Sequence, residues 1–232
     1  MTPASNYPGL RNQPDPTERG GPVVRALRRF LRRQFGRPTG LWGRAAGRIM
    51  ARRPSNLERI RWTLSLLGVQ PTDRILEIGF GPGIAVEILS HMARRGVIVG
   101  VDHSEVMVRQ AARRNARAVR EGRVRLVTGS ASELPALGET FDKVFTINSI
   151  HFWHEPVECL KALKARMKPD GLIAVTLQPR SRGATDASAR VIGDEVKANL
   201  ELAGFSNCRV EILETKPVAV ACALGVNSRE PR

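Results

Sequence analysis

Cysteine, lysine, tyrosine and acidic residues are all scarce in this chain of 232 residues. The three cysteines, Cys159, Cys208 and Cys222, lie far apart with no C-x-x-C spacing. That argues against a disulfide framework or a zinc site and fits a reducing compartment, so a cytoplasmic location is expected. No run of 18 or more apolar residues occurs, which excludes a transmembrane helix. The opening stretch MTPASNYPGLRNQPDPTERGG has no apolar h-region, so no secretory signal is expected. Low-complexity sequence beyond this stretch and internal repeats are absent too. At 42% hydrophobic residues the chain is not a disordered protein, and its length suits one core with a tail.

The shortage of acidic residues needs dissection. There are 22 Asp and Glu against 37 Lys and Arg, a formal charge of +15, and only six of the basic residues are Lys. Residues 1–62 hold 14 basic and 3 acidic residues, and residues 109–125 hold seven Arg and one Glu. The rest of the chain is close to neutral. A uniformly basic nucleic-acid binder has a different distribution.

Hydrophobic periodicity divides the chain. Residues 1–22, rich in Pro, Gly, Asn and Arg, read as a mobile tail. Val23, Val24, Leu27, Phe30, Leu31 and Phe35 recur at helical spacing with Arg between them. This basic amphipathic helix, residues 23–35, packs on the domain with a solvated Arg face, contacts a membrane surface or acidic partner, or is a transit peptide. Two more short helices complete an N-terminal helical region, 23–67. The third is capped by Ser55 or Asn56 and carries Leu57, Ile60, Leu64 and Leu67 on one face.

From residue 68 to 226, apolar runs alternate with amphipathic helices. RILEIG, VIVGVD, VRLVTGS, FDKVFTINSI and GLIAVTLQ read as strands, with a helix between most of them. This predicts an α/β fold with parallel strands covered on both faces. The last two strands, CRVEILETKP and VAVACAL, have no helix between them. They must form a hairpin, which puts one antiparallel strand into a mostly parallel sheet. Residues 227–232 are left as a C-terminal tail.

Three signals carry chemistry. ILEIGFGPGIAVEIL runs a strand through Gly79, Gly81 and Gly83 into a helix. Glycines let the backbone turn sharply and let a ligand approach it, and the helix N-terminus offers free N–H groups. The spacing is G-x-G-x-G rather than the dinucleotide G-x-G-x-x-G, and Pro82 removes one N–H, so NAD and FAD are disfavoured. Asp102 ends the second strand, beside the glycine loop, where a carboxylate can accept hydrogen bonds from ribose hydroxyls. Ser104 is available to cap the next helix, which frees Asp102 for that role. VTGSASELP ends the third strand in small residues that leave room for a flat ring.

Together these residues resemble the class I S-adenosylmethionine-dependent methyltransferases over roughly residues 56–224. Glu77 and the glycines of LEIGFGPG match the first motif, and Asp102 matches the ribose-binding acid. Ser130 and Ala131 stand where the adenine-contacting pair lies, although many members have an Asp there. FDKVFTINSIHFW matches the fourth-strand motif, with Asn148 near the methionine end of the cofactor, and LKARMKPDGLIAV matches the entry to the fifth strand. The resemblance implies a Rossmann-like seven-stranded sheet of order 3-2-1-4-5-7-6, with S-adenosylmethionine as cofactor and S-adenosylhomocysteine as product. It also places Phe80, His103, Met107 and Ser149 on the cofactor side.

His151 and His154 follow the fourth strand, at the sheet edge where ligands bind. An unperturbed imidazole titrates near 6.5, which suits proton transfer, so both are candidate catalytic bases. Trp42, Phe152 and Trp153 are candidates to wall an apolar acceptor pocket, with core packing as their competing role. The Asn-Pro-Pro-Tyr signature of base amino methylation is missing, as is a Pro-Cys nucleophile. No cluster of carboxylates suggests a metal, and no insertion after the fifth strand supplies a lid, which leaves that job to residues 23–67. The pattern most resembles the small-molecule branch of the family, and a nucleic-acid partner is disfavoured. An RNA or protein methyltransferase docking through its basic N-terminus and a non-catalytic cofactor-binding scaffold are the alternatives.

Overall fold

A computed structural model describes residues 54–181 and 183–228. Helix α1 (Pro54–Leu67) leads into β1 (Arg74–Ile78), α2 (Ile84–Met92), β2 (Val97–Asp102), α3 (Glu105–Arg114), α4 (Ala116–Arg120) and β3 (Val124–Thr128). Then come β4 (Phe141–Ile147), a 3-10 turn (Ile150–Phe152), α5 (Pro156–Lys164), β5 (Met167–Leu177), α6 (Asp186–Leu202), β6 (Ser206–Leu213) and β7 (Val220–Asn227).

The strands form one sheet of order β3-β2-β1-β4-β5-β7-β6. Strands β1 to β5 pair in parallel, whereas β7 runs antiparallel to both β5 and β6. The hairpin expected at the chain's end is therefore β6–β7, inserted so that its second strand meets β5. A six-residue link cannot carry the chain across the sheet to a parallel neighbour, which is why β7 turns back.

Side chains alternate across each strand, and the two faces collect separate cores. Leu76, Ile78, Val144, Ile173 and Val175 meet α5 and α6 through Leu160, Leu163, Ile192, Val196 and Leu200. Ile75, Ile98, Phe145 and Ala174 meet α1, α2 and α3 through Leu64, Leu67, Val86, Leu89 and Met107. Each fully buried side chain of this size contributes about 1.5–3 kcal/mol. Ile60, Leu64 and Leu67, spaced as the sequence indicated, lock α1 onto the sheet as part of this second layer. The last of the three N-terminal helices thus packs into the core through this face, and residues 23–53, including the basic helix, lie outside the described residues.

Local chemistry moved some boundaries. The single helix expected after Ser104 is two, because the Asn115 side chain donates to the carbonyls of Ala111 (2.9 Å) and Gly83 (3.2 Å) and competes with the helical ladder. Helix α1 opens at Pro54, so Ser55 and Asn56 are not its cap. Helix α6 starts in a reciprocal cap: Ser188 N donates to Thr185 Oγ1 and Thr185 N donates to Ser188 Oγ. The arginines after Asp102 largely pair with acids nearby, Arg114 with Glu87 and Arg117 and Arg123 with Glu121, as a solvated helix face does. No helix among the described residues is long and apolar enough to cross a membrane.

Candidate active site

The glycine loop joins β1 to α2 with Gly79, Gly81 and Gly83 all at positive φ, where an L side chain is strained. Close packing sets two of the three. A Cβ on Gly79 would lie 2.4 Å from Ser149 Oγ, and one on Gly83 would lie 2.5 Å from the Ala111 Cβ of α3. Gly81 has open space around its missing Cβ. Its N–H donates to Asp102 Oδ2 at 2.8 Å, which ties the loop to the tip of β2.

Asp102 Oδ1 also accepts from Ser104 N at 2.9 Å. Ser104 occupies the cap position of α3 but makes no side-chain cap bond. The expected division of labour is therefore altered: Asp102 orders both the loop and the helix start, with one lone pair on each oxygen left over. Asp102 is buried, and burial lifts its pKa against the opposing pull of the two N–H groups and of His103. His103 Nδ1 stands 3.7 Å from Asp102 Oδ1 on a half-exposed side chain.

Glu77, one residue before the end of β1, is buried on the sheet face that carries α1 to α3. Burial first, and the Asp102 charge second, raise its carboxyl to about 8. Its Oε2 has no hydrogen-bond partner among the described residues. A buried acceptor left unmade is costly and marks a place where a donor belongs.

Beyond β4, Asn148 takes a left-handed backbone at φ 54° and clamps two strand ends. Its N–H donates to Thr176 O, and its Oδ1 accepts from Gln178 N, both at 2.8 Å. Ser149 Oγ accepts from Trp153 Nε1 at 3.1 Å. His151 is half-buried, its ring 3.9 Å from that of Phe152. Burial, then the Arg180 guanidinium, push its pKa down to about 4. The unperturbed value assumed from sequence is thus replaced by that of a neutral, weakly basic imidazole.

The structure brings Glu77, Gly79, Gly81, Asp102, His103, Asn148, Ser149 and His151 to the C-terminal edge of the sheet. Other expected side chains are engaged elsewhere. Phe80 is buried in the core with its ring against Gly100, Met107 is buried beneath α3, and Ala131 is buried in the opposite core. Trp153, at 5% exposure, is a core residue whose indole anchors Ser149. Ser130 Oγ accepts from Glu133 N and closes a turn. His154 has a side chain 86% exposed, its Nδ1 3.8 Å from Glu155 Oε1, and its carbonyl accepts from Cys159 Sγ. Phe152 is 49% exposed. Trp42 lies outside the described residues.

Two neighbours escaped the sequence reading. Arg59 of α1 is 1% exposed and donates to Gln178 Oε1 (2.5 Å) and Asn56 Oδ1 (2.6 Å). Gln178 spans the site, with its Nε2 donating to Val218 O at 2.7 Å. The available signal was positional: Arg59 and Thr63 fall on the side of the helix that carries Ile60 and Leu64, where a charge is unexpected.

Such a sheet, with an acid at the tip of β2 beside a glycine turn, defines a nucleoside-cofactor-binding α/β enzyme. Comparison with known proteins identifies which one. A family model described as a methyltransferase domain matches residues 75–171. The chain is 33% identical over 178 residues to the uncharacterized methyltransferase YdaC of Bacillus subtilis, spanning 77% of this chain and 95% of that relative. It is 30% identical over 121 residues to the erythromycin 3''-O-methyltransferase of Saccharopolyspora erythraea, spanning 52% of this chain and 40% of that relative. A crystal structure of a SAM dependent methyltransferase from Aquifex aeolicus shares the fold with a TM-score of 0.62 at 23% identity, covering 78% of this chain and 97% of the other. The chain belongs to the methyltransferases, and it shares the fold of a member whose cofactor is S-adenosylmethionine.

The residues present fit that cofactor. Its ribose hydroxyls and amino group are hydrogen-bond donors, and Asp102 and the unpartnered Glu77 Oε2 are buried acceptors flanking the glycine loop.

Proposed function

We propose that this enzyme methylates a small molecule held over the ends of β4 and β5. The observation that carries this reading is the recession of the polar groups at that edge. Arg59 is fully buried and His151 half-buried, so an acceptor must enter the fold to meet them, which a folded macromolecule does poorly. A relative from Saccharopolyspora erythraea is named as an erythromycin methyltransferase, which agrees with a small acceptor.

Asp102 and Glu77 would hold the cofactor by its donors, while Gly81 and the loop backbone shape its seat. When bound, S-adenosylmethionine supplies an electrophilic methyl group on a sulfonium centre. The chain's part is then orientation and exclusion of water, which can contribute on the order of 7–11 kcal/mol. The Asn148–Gln178 bond and the Ser149–Trp153 bond fix the acceptor edge so that little reorganises during transfer. His151 is neutral at physiological pH and can accept a hydrogen bond from an acceptor hydroxyl or amine. Its low basicity suits an acceptor that needs little help in losing a proton.

The test is to incubate the enzyme with methyl-labelled S-adenosylmethionine and a cell extract separated into small-molecule, RNA and protein fractions. Label is expected in the small-molecule fraction. Label confined to RNA or protein would overturn the reading.

A further inference from the structure

We infer that the acceptor carries an anionic group, a carboxylate or phosphate, held by the guanidinium groups of Arg59 and Arg180 beside His151. This deepens the small-molecule reading and rests on it.

Arg59 is the starting point. It presents five N–H donors from a side chain 1% exposed. The two bonds that it makes go to neutral amide oxygens, on Gln178 and Asn56. Its Nε is buried with no hydrogen-bond partner, and no carboxylate pairs with it among the described residues. Burial and the like charge of Arg180 lower its pKa to about 9, which still leaves it protonated at neutral pH. A buried cation whose charged neighbour is another cation is an arrangement that folding alone disfavours. It is expected where a ligand brings the missing charge.

The position agrees with the acceptor side of the site. Gln178 accepts from Arg59 while its own N–H donates to Asn148 Oδ1. The next residue, Ser149, is the one that Gly79 of the cofactor loop abuts. The cation is thereby linked through the Gln178 and Asn148 side chains to the strand end nearest the cofactor loop. Arg180, exposed in the loop after β5, stands two residues beyond Gln178, the partner of Arg59, and its charge lowers the pKa of both Arg59 and His151. Cationic groups from α1 and the β5 loop therefore converge on one edge, and the planar fork of a guanidinium suits carboxylate and phosphate oxygens. Arg59 differs from the arginines on α3 and α4, which largely have acidic neighbours and stand in solvent.

The experiment begins with calorimetry of S-adenosylmethionine on the wild type. Initial rates are then measured on a panel of small carboxylates and phosphates, each paired with its neutral amide or alcohol analogue. Acids are expected to be methylated, with kcat/KM at least about a hundred-fold above their neutral analogues. Arg59→Met, similar in length and apolar, and Arg180→Ala, at the surface, are each expected to raise KM for the acid about ten-fold or more with cofactor affinity unchanged. Citrate binding to the wild type loaded with S-adenosylhomocysteine provides a readout independent of turnover, and both variants should weaken it. If Arg59→Met fails to fold, Arg180→Ala decides. Neutral analogues that match the acids, or an unaltered KM and citrate affinity in Arg180→Ala, would overturn the inference while leaving the small-molecule reading intact. Label appearing in macromolecules alone would remove both.

Discussion

Gly79 and Ser149 touch where β1 and β4 end, so closely that a Cβ on the glycine would stand 2.4 Å from the serine Oγ. The contact joins the glycine loop to the end of β4. Its serine is held from the other side by Trp153 Nε1.

Replacing Gly79 with Ala should therefore damage more than a loop. The residue sits at φ 75° and has no room, so destabilisation of about 1–3 kcal/mol is expected in urea titrations, together with weakened cofactor binding. The double variant with Ser149→Gly should recover part of the stability. An additive double variant would show that the clash is not the cause.

Asp102→Ala should weaken S-adenosylmethionine binding about ten-fold or more by calorimetry, because acceptors for the ribose and for the Gly81 and Ser104 N–H groups vanish together. Unchanged affinity would place the ribose elsewhere.

Glu77 makes stability pH-dependent in a defined direction. Its folded pKa of about 8 lies above the ordinary carboxyl value, so the native state holds the extra proton between about pH 4.5 and 8. This contribution is complete below the unfolded pKa and is lost as pH rises through the folded one. Glu77→Gln should gain on the wild type over that window, levelling off above pH 8 at a few kcal/mol, on the order set by a shift of this size. It should also weaken cofactor binding. A pH-independent difference in melting temperature would refute the protonation argument.

His151 acts at the other end of the scale with the opposite sign. Its folded pKa, about 4, lies below the unfolded value, so the unfolded state binds more protons between pH 4 and 6.5. Stability should fall as pH drops through that window, and His151→Gln should flatten the dependence. Turnover of the wild type should show no His151 ionisation between pH 6 and 8.

Gln178 holds Arg59, Val218 and Asn148 together. Gln178→Leu strands a bond to a buried cation, and a loss of about 1.5–3 kcal/mol is expected in chemical denaturation. Arg59→Met in the same background should restore part of it, since it removes the stranded charge. A second substitution that deepens the loss would contradict this account.

Local pattern made most of the architecture readable. The apolar runs, the amphipathic helices and the absence of a helix before the last strand pointed to a mostly parallel sheet with one antiparallel strand, because both faces must be covered, and the resemblance to the methyltransferases implied the sheet order found. The glycine loop, the strand-end acid and the small-residue turn were legible because each is a short continuous segment, and the structure ties the first two together at one sheet edge. Even there, Phe80, Met107 and Ala131 read as contacts but are buried in the core, because a motif does not say which way a side chain points.

The sequence by itself, through spacings of a few residues, pointed to the class of enzyme and to the strand ends that carry the glycine loop and Asp102. Tertiary structure alone decided which polar groups meet at the ends of β4 and β5. Arg59, Asn148, Gln178 and Arg180 come from three separate segments, and burial and bonding decide their character rather than residue type. The basic surplus that first drew notice in residues 1–62 thus includes one arginine, Arg59, set apart by being placed in the core with no counter-charge among the described residues, where the low dielectric strengthens any charge pairing.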